Sequence, residues 1–227
     1  VLTALFDSYK DSAYATALAY ANEYYRIARA AGDSAGMVEG GRKQAYALMD
    51  LGKNEEAVKV LSSILDIAER NQWRDPKIKT HIKFILNNAG LAHNHLGNYD
   101  KALQYHYRSL LLREQEGDKK SISTALNNLG NVFSYLKDYK KAIEYFQQAI
   151  DMKKEIGDRS NLDRILINLG TSYSNIEEFK SAIDKFNEGF AVCHPNCTDN
   201  TRRDGLLGLG SAYGGIKAFD KAEKCFF

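Results

Sequence analysis

The sequence predicts an all-α fold, a right-handed superhelical solenoid of antiparallel helix hairpins, and three observations predict it. Leu86-Asn-Asn-Ala-Gly90, Leu126-Asn-Asn-Leu-Gly130, Leu166-Ile-Asn-Leu-Gly170 and Leu206-Leu-Gly-Leu-Gly210 recur at intervals of 40 residues. Aromatic residues at Tyr99, Tyr139, Phe179 and Phe219, and alanines at Ala102, Ala142, Ala182 and Ala222, keep the same phase. The only prolines are Pro76 and Pro195, and the stretches between them are rich in Ala, Leu, Lys, Glu and Gln, which favour helix. A fixed period of this length marks a repeat architecture, in which each unit buries its apolar face only by stacking on its neighbours.

Upstream the pattern is weaker but in register. Leu51-Gly52 with Ala57 matches Leu96-Gly97 with Ala102 after a shift of 45 residues, the slack falling in the loop that holds Pro76. Tyr14 and Ala17, followed by Gly32-Asp33, match Tyr99 and Ala102, followed by Gly117-Asp118. The whole chain therefore reads as one array, 1–227, with a partial unit at 1–37, units at 38–82, 83–122, 123–162 and 163–202, and a truncated unit at 203–227.

Each unit divides into two helices. After Asp118, the apolar residues Ile122, Leu126, Leu129, Val132, Phe133 and Leu136 follow the three-to-four spacing of an amphipathic helix, helix A. A polar turn at Lys137-Asp138 intervenes, and Ala142, Ile143, Phe146, Ala149 and Ile150 restart the spacing as helix B. Gly157 suits the left-handed conformation common at a helix end, and Asp158 is expected to cap the next helix. Gly130 and Ala142 are small enough for the two helices of a hairpin to approach closely, leaving Leu129, Phe133 and Phe146 to fill the groove against the adjoining unit. In the last unit Gly205, Gly208, Gly210, Gly214 and Gly215 crowd one helix, each costing up to ~1 kcal/mol relative to Ala. That helix is expected to be the weakest and to fray at a truncated end, the alternative being a hinge or a close approach by a partner.

Composition narrows the function. Hydrophobic residues make up 44% and charged residues 26%, so a core can form. The formal net charge is +2, with no basic run that would track phosphates, and nucleic acid is not the expected partner. No apolar run approaches the roughly 18 residues of a membrane span, so no membrane insertion is expected within this stretch. The chain begins at Val1 and ends at Phe227 inside an amphipathic pattern, as a fragment of a longer protein would. Phosphate-binding glycine loops, nucleophile elbows and His-Glu-x-x-His motifs are all missing from the sequence, and no enzyme, cofactor or metal is expected.

The large residue Leu126, the pair Leu129-Gly130, Phe133, then Ala142, Phe146 and Ala149 resemble the tetratricopeptide repeat pattern. Two departures are visible: the period is 40 rather than the usual 34, and the proline that closes helix B is replaced near Lys154. Both imply longer helices, of about 17 residues. Such long-helix arrays resemble the Leu-Gly-Asn repeat adaptors of cell polarity and the kinesin light chains. They also resemble the sensor segments that precede transmembrane and histidine-kinase or regulator modules in bacterial signalling proteins, given the repeated Asn-x-Gly on helix A and the Tyr- and Lys-rich helix B.

The resemblance implies a protein or peptide ligand lying along a concave surface lined by helix A. Carried over position by position, the binding residues are Asn87, Asn88, Asn127, Asn128, Asn131 and Asn168, with Arg42, Tyr46 and His95 nearer the ends. Asn88, Asn128 and Asn168 form a series at constant spacing. An amide both donates and accepts, so such a ladder can pair with a peptide backbone of any sequence. The alternative is that these amides bond only neighbouring helices or water. The series lapses at Gly208. The implied role is a scaffold, the interaction or signal-input region of a signalling protein with a downstream output domain. An extracytoplasmic sensor region, which would be periplasmic where the scaffold would be cytoplasmic, and a self-assembly module are the alternatives.

Two constellations invite chemistry. Cys193-His-Pro-Asn-Cys197 carries zinc-ligand residue types but lacks a second ligand pair, and it occupies an inter-repeat loop in the slots of Lys153 and Gly157. A local disulfide, a zinc site and two free thiols stay open, with Cys225 unrelated. His93 and His106 fall at the slots of Phe133 and Phe146, which places them near each other between helices and is expected to make them core aromatics; a paired-imidazole metal site or pH switch is the alternative.

Overall fold

The computed structural model describes residues 1–10, 13–70 and 74–226; Phe227, the end of the predicted truncated unit, lies outside them. All regular structure among the described residues is helical, as the period predicts: α1 (Leu2–Tyr9), α2 (Tyr14–Ala30), α3 (Ser34–Asp50), α4 (Asn54–Arg70), α5 (Pro76–His95), α6 (Tyr99–Glu116), α7 (Lys119–Tyr135), α8 (Tyr139–Glu155), α9 (Leu162–Asn175), α10 (Phe179–Cys193), α11 (Asp199–Gly215) and α12 (Phe219–Phe226). The expected length of helices A and B is met by α3, α4, α7, α8 and α11, each of 17 residues. No described helix is long and apolar enough to cross a membrane. The chain forms two compact units, Val1–Leu112 and Arg113–Phe227.

In the first unit successive helices pack as hairpins, and the A helices α3 and α5 also touch. Its core joins Val38, Ala45 and Leu48 of α3, Leu61, Ile64 and Leu65 of α4, and Ile78, Ile82, Ile85 and Leu86 of α5. A smaller cluster seals Phe6 of α1 against Ala17 and Ala21 of α2 and Ala47 of α3. The second unit repeats the scheme: α9 contacts both α7 and α11. Its core includes Ile167, Ala182, Phe186, Leu209 and Ala212.

The contact that sets hairpin spacing is a glycine on helix A facing a ring on helix B. A Cβ on Gly130 would lie 2.6 Å from Cε1 of Phe146. A Cβ on Gly90 would lie 2.6 Å from Cε1 of His106, which holds the equivalent slot. Phe186 is enclosed twice, by Gly170 of its own hairpin and by Gly208 of the following A helix. That is the physical reason the asparagine series lapses at Gly208, where any side chain would collide with the ring. Gly205 and Gly215 likewise admit Phe190 and Phe179. The expectation that this glycine-rich helix frays is thus corrected: α11 is continuous from Asp199 to Gly215, and three of its glycines are close-approach positions for rings of the same chain.

The turn inside the hairpins α3–α4, α5–α6, α7–α8, α9–α10 and α11–α12 is a single device used five times. Backbone N–H groups of Lys53, Asn98, Asp138, Glu178 and Ala218 donate to the carbonyls of Leu48, His93, Phe133, Tyr173 and Tyr213, at 2.8–3.0 Å. The preceding residue is left-handed in every case, Gly52 and Gly97 at φ +73° and +74°, but Lys137, Glu177 and Lys217 at 61–63°. Between repeats, Asp33 and Asp118 accept from the backbone N–H of Gly36 and Ser121 as predicted N-caps. Asp158 departs from the prediction. Its carboxylate accepts from the N–H and hydroxyl of Ser160 and from Lys153, and α9 starts later, with Asn161 at its N-cap. The competing ion pair holds Asp158 in the turn, away from the first turn of α9.

Gly130→Ala should destabilise the fold by about 1–3 kcal/mol through overpacking, and adding Phe146→Leu should recover part of the loss; chemical denaturation of the three chains measures both. Lys137→Gly should act oppositely. Left-handed backbone costs an L residue ~1–2 kcal/mol, of which the freer unfolded glycine returns ~0.4–1, leaving a gain of roughly 0.5–1 kcal/mol in the same assay.

Candidate functional site

The sequence-predicted site residues all lie on A helices. Arg42 and Tyr46 are on α3, Asn87, Asn88 and His95 on α5, Asn127, Asn128 and Asn131 on α7, and Asn168 on α9. Their environments differ more than their spacing suggests. In the second unit Asn168 Nδ2 donates to Asn131 Oδ1 at 3.0 Å, an amide pair that links α9 to α7. Beside it the hydroxyls of Ser134 and Ser172 lie 3.4 Å apart. Asn128 is buried, so its amide is largely withdrawn from solvent, whereas Asn127 is half-buried with an Oδ1 that has no hydrogen-bond partner. In the first unit Asn87 and Asn88 are half-buried. His95 is exposed at the end of α5, with Nδ1 3.2 Å from Oδ1 of Asn54.

Arg42 and Tyr46 stand in a more charged setting. The Tyr46 ring meets Phe6 edge-on at 6.4 Å, and the Arg42 guanidinium lies 5.8 Å from the centroid of Phe84. Burial lowers the Arg42 pKa, against the opposing pull of Glu39 and Asp7. Lys43, buried beside it, donates to Asp7 at 2.9 Å and sits 4.6 Å over the Phe6 ring. In the repeat register Lys43 holds the slot of Asn88, so the amide ladder is a cation here.

Two further cavities, missed at the sequence level, open between successive A helices. One, of about 450 Å³, lies between α3 and α5 and is lined by Tyr24, Asp33, Glu39, Lys77, Thr80 and His81 among others. The Tyr24 hydroxyl donates to Glu39 at 3.1 Å, and burial with the neighbouring Glu39 charge pushes its pKa up to about 12. Burial, then the fields of Arg42 and Lys43, lower His81 despite Glu39. The other, of about 440 Å³, lies between α9 and α11 and is lined by Asn161, Arg164, Asn168, Asn200, Thr201 and Arg203 among others. A usable signal was present in the repeat register: one turn ahead of the ladder, Glu39, Phe84, Thr124, Arg164 and Asp204 share a slot whose chemistry changes at each repeat.

The two reactive-looking constellations resolve structurally. Cys193 and Cys197 form a disulfide with Cα atoms 4.7 Å apart, which leaves neither as a thiolate for zinc. His93 stacks on Tyr105 at 5.4 Å and 5°, the same geometry as Phe133 on Tyr145 at 5.3 Å and 5°. Its Nδ1 is buried without a hydrogen-bond partner, and burial, followed by the Lys101 charge, lowers its pKa.

His93→Phe should therefore stabilise the chain by about 1 kcal/mol at neutral pH by removing a buried unpaired nitrogen. The folded-state pKa of His93 lies below the unfolded value, so its contribution is present above about pH 6.5 and lost as pH falls through the folded pKa. The variant's gain should widen across that interval, as melting temperatures taken from pH 7.5 to pH 5 would show.

Residues 84–155 match the family model described as tetratricopeptide repeat, and residues 134–196 match that of anaphase-promoting complex subunit 5. No curated protein matches the chain. Similar solved structures include BtubC from P. vanneervenii, 20% identical, with a TM-score of 0.74 over 94% of this chain and 88% of that one. A Pyrococcus horikoshii STAND protein, a signal transduction ATPase with a tetratricopeptide repeat sensor, is 18% identical with a TM-score of 0.78; the match covers 99% of this chain but 35% of that one. The apo form of RapI is 17% identical, with a TM-score of 0.72 over 91% of this chain and 57% of that one. The fold is that of tetratricopeptide-repeat proteins.

Proposed function

We propose that this tetratricopeptide-repeat chain is a protein- or peptide-binding scaffold, not an enzyme, and that the helix-A faces hold the partner. The reading divides the array into a partial first unit, four whole units and a truncated last one, each whole unit offering one A helix. Repeats of this kind bind protein partners. The observation that carries the proposal is the pair of cavities between successive A helices, α3 with α5 and α9 with α11, each walled by polar side chains. Asn168 is central to the second: its amide nitrogen is committed to Asn131, which orients its oxygen. A partner that supplies backbone N–H groups would meet acceptors already fixed in place, so little side-chain entropy is lost on binding.

The P. horikoshii STAND protein supports a more specific version, in which the chain is the signal-input region of a larger signalling protein. There the repeats are a sensor, and nearly the whole of this chain aligns with part of it. The Cys193–Cys197 disulfide favours an oxidising compartment for such a region.

The test begins with a peptide selected against the chain from a random library. Asn88→Ala, Asn127→Ala and Asn168→Ala together should weaken its binding by about tenfold or more, equivalent to roughly 1.4 kcal/mol. Lys140→Ala, on the exposed face of a B helix, should leave binding unchanged. Hydrogen-exchange protection confined to B helices, or full affinity in the triple variant, would overturn the assignment.

A further inference from the structure

We infer that the Cys193–Cys197 disulfide is a reversible thiol-exchange site, and that its reduction by a donor thiol releases the first turn of α11 and with it one wall of the α9–α11 cavity. The bond joins the last residue of α10 to the residue before the N-cap of α11, with Cα atoms 4.7 Å apart. Thr198, the N-cap, accepts from the backbone N–H of Thr201 at 3.2 Å. Thr198, Asn200, Thr201, Arg203 and Asp204 all line the cavity of about 440 Å³. The covalent bond thus adjoins, in the chain, the residues that shape the α11 side of that cavity.

The repeat register shows how much of this joint depends on the bond. At the equivalent slot Arg113 reaches the carbonyl of Ser121 and Lys153 reaches Asp158, so those joints are closed by long cationic side chains. Here the slot holds a cysteine. Among the described residues, the one hydrogen bond of residues 194–197 runs from the N–H of His194 to the carbonyl of Phe190, back into α10. Further along, α11 is anchored independently, because Gly205 admits the Phe190 ring and Gly208 the Phe186 ring. Loss of the disulfide therefore loosens the start of the helix while the rest stays docked. A thiol is a weak donor and cannot replace the tie of a buried cation.

Both cysteines are half-buried and residues 194–196 between them are exposed, which gives a thiolate access to the sulfurs. A donor thiolate attacks one Sγ, the S–S bond breaks and a mixed disulfide forms, while the other sulfur leaves with the electron pair and takes a proton. A second donor thiol then displaces the remaining protein sulfur. Two donor thiols become one donor disulfide, and the chain gains two electrons and two protons. Closing so short a loop constrains the unfolded chain less than a longer loop would, so the reduced chain stays folded and the effect is local.

The test uses the Cys225→Ser chain, which leaves a single redox couple, with dithiothreitol as the donor. Millimolar dithiothreitol should expose two thiols to iodoacetamide. By mass spectrometry, amides 199–204 should then exchange hydrogen about tenfold faster, while those of 119–125 in α7 keep their rate. Oxidised glutathione should restore the bond and the slow exchange. Cys193→Ser with Cys197→Ser should exchange like the reduced chain and ignore dithiothreitol. A partner in the cavity feels the same release, a consequence that rests on the scaffold reading. A library peptide whose affinity falls on Asn168→Ala should bind the reduced chain about fivefold or more weakly. Absence of alkylated thiols, equal exchange in the two states, loss of helical circular dichroism on reduction, or equal affinity of that peptide would each overturn the inference. If no peptide depends on Asn168, the scaffold reading falls, and the exchange rates still decide the redox site.

Discussion

The fold depends on a glycine of helix A pressed against a ring of helix B. A helical glycine costs about 1 kcal/mol relative to alanine, yet a buried phenylalanine contributes roughly 1.5–3 kcal/mol, so the exchange favours the pair. The same slots show that the two residues are chosen together. Gly90 faces His106, Gly130 faces Phe146 and Gly170 faces Phe186. Where helix A carries Ala45 instead, the helix-B slot holds the smaller Leu61, and both are fully enclosed. A glycine with a ring and an alanine with a smaller side chain are thus two fillings of the same slot, and each hairpin is closed before it stacks on the next.

A second slot, near the end of helix B, fastens the loop to the next repeat by three unrelated chemistries. Arg113 donates from Nη1 to the carbonyl of Ser121 at 2.9 Å. Lys153 donates to Asp158 at 2.7 Å and to Ser160 at 3.3 Å. Cys193 is tied covalently to Cys197. Each cation is buried, at 3% and 4% exposure, and needs its partner, since an unpaired buried charge is strongly destabilising. Hydrogen bonds from Lys153 and Ser160 hold the Asp158 carboxyl well below the usual carboxylate range. The disulfide is thus the third form of a tether that the α6–α7 and α8–α9 loops make without sulfur.

This division explains what was legible beforehand. The two-helix repeat, the helix length and the equivalence of His93 with Phe133 and His106 with Phe146 follow from periodic burial, which sequence records directly. Asp158 and the glycine-rich α11 were misjudged because each was read from its neighbours in the chain. Their behaviour is set by Lys153 and by the rings of Phe186, Phe190 and Phe179, brought in by stacking. Of the candidate residues, only their place on the A helices was legible. Spacing put the asparagines on helix A, but it could not show that Asn168 is bonded to Asn131 or that Asn128 is buried.

What remains free to vary is the part of helix A that faces neither its hairpin partner nor the loop. Glu39, Phe84, Thr124, Arg164 and Asp204 occupy one such slot. The slot of Lys43, Asn88, Asn128, Asn168 and Gly208 is more constrained, because Lys43 is tied to Asp7 and Gly208 admits the Phe186 ring. The first series changes charge from repeat to repeat, while the hairpin contact stays uncharged and small on helix A and the turn keeps its left-handed backbone. No packing rule demands an acid at Glu39 and a base at Arg164, because both line cavities rather than the core. Internal contacts of a solenoid impose the period, so departures from it on the helix-A face are where the repeats differ chemically. Under the scaffold reading proposed above, a binding segment would meet those differences residue by residue.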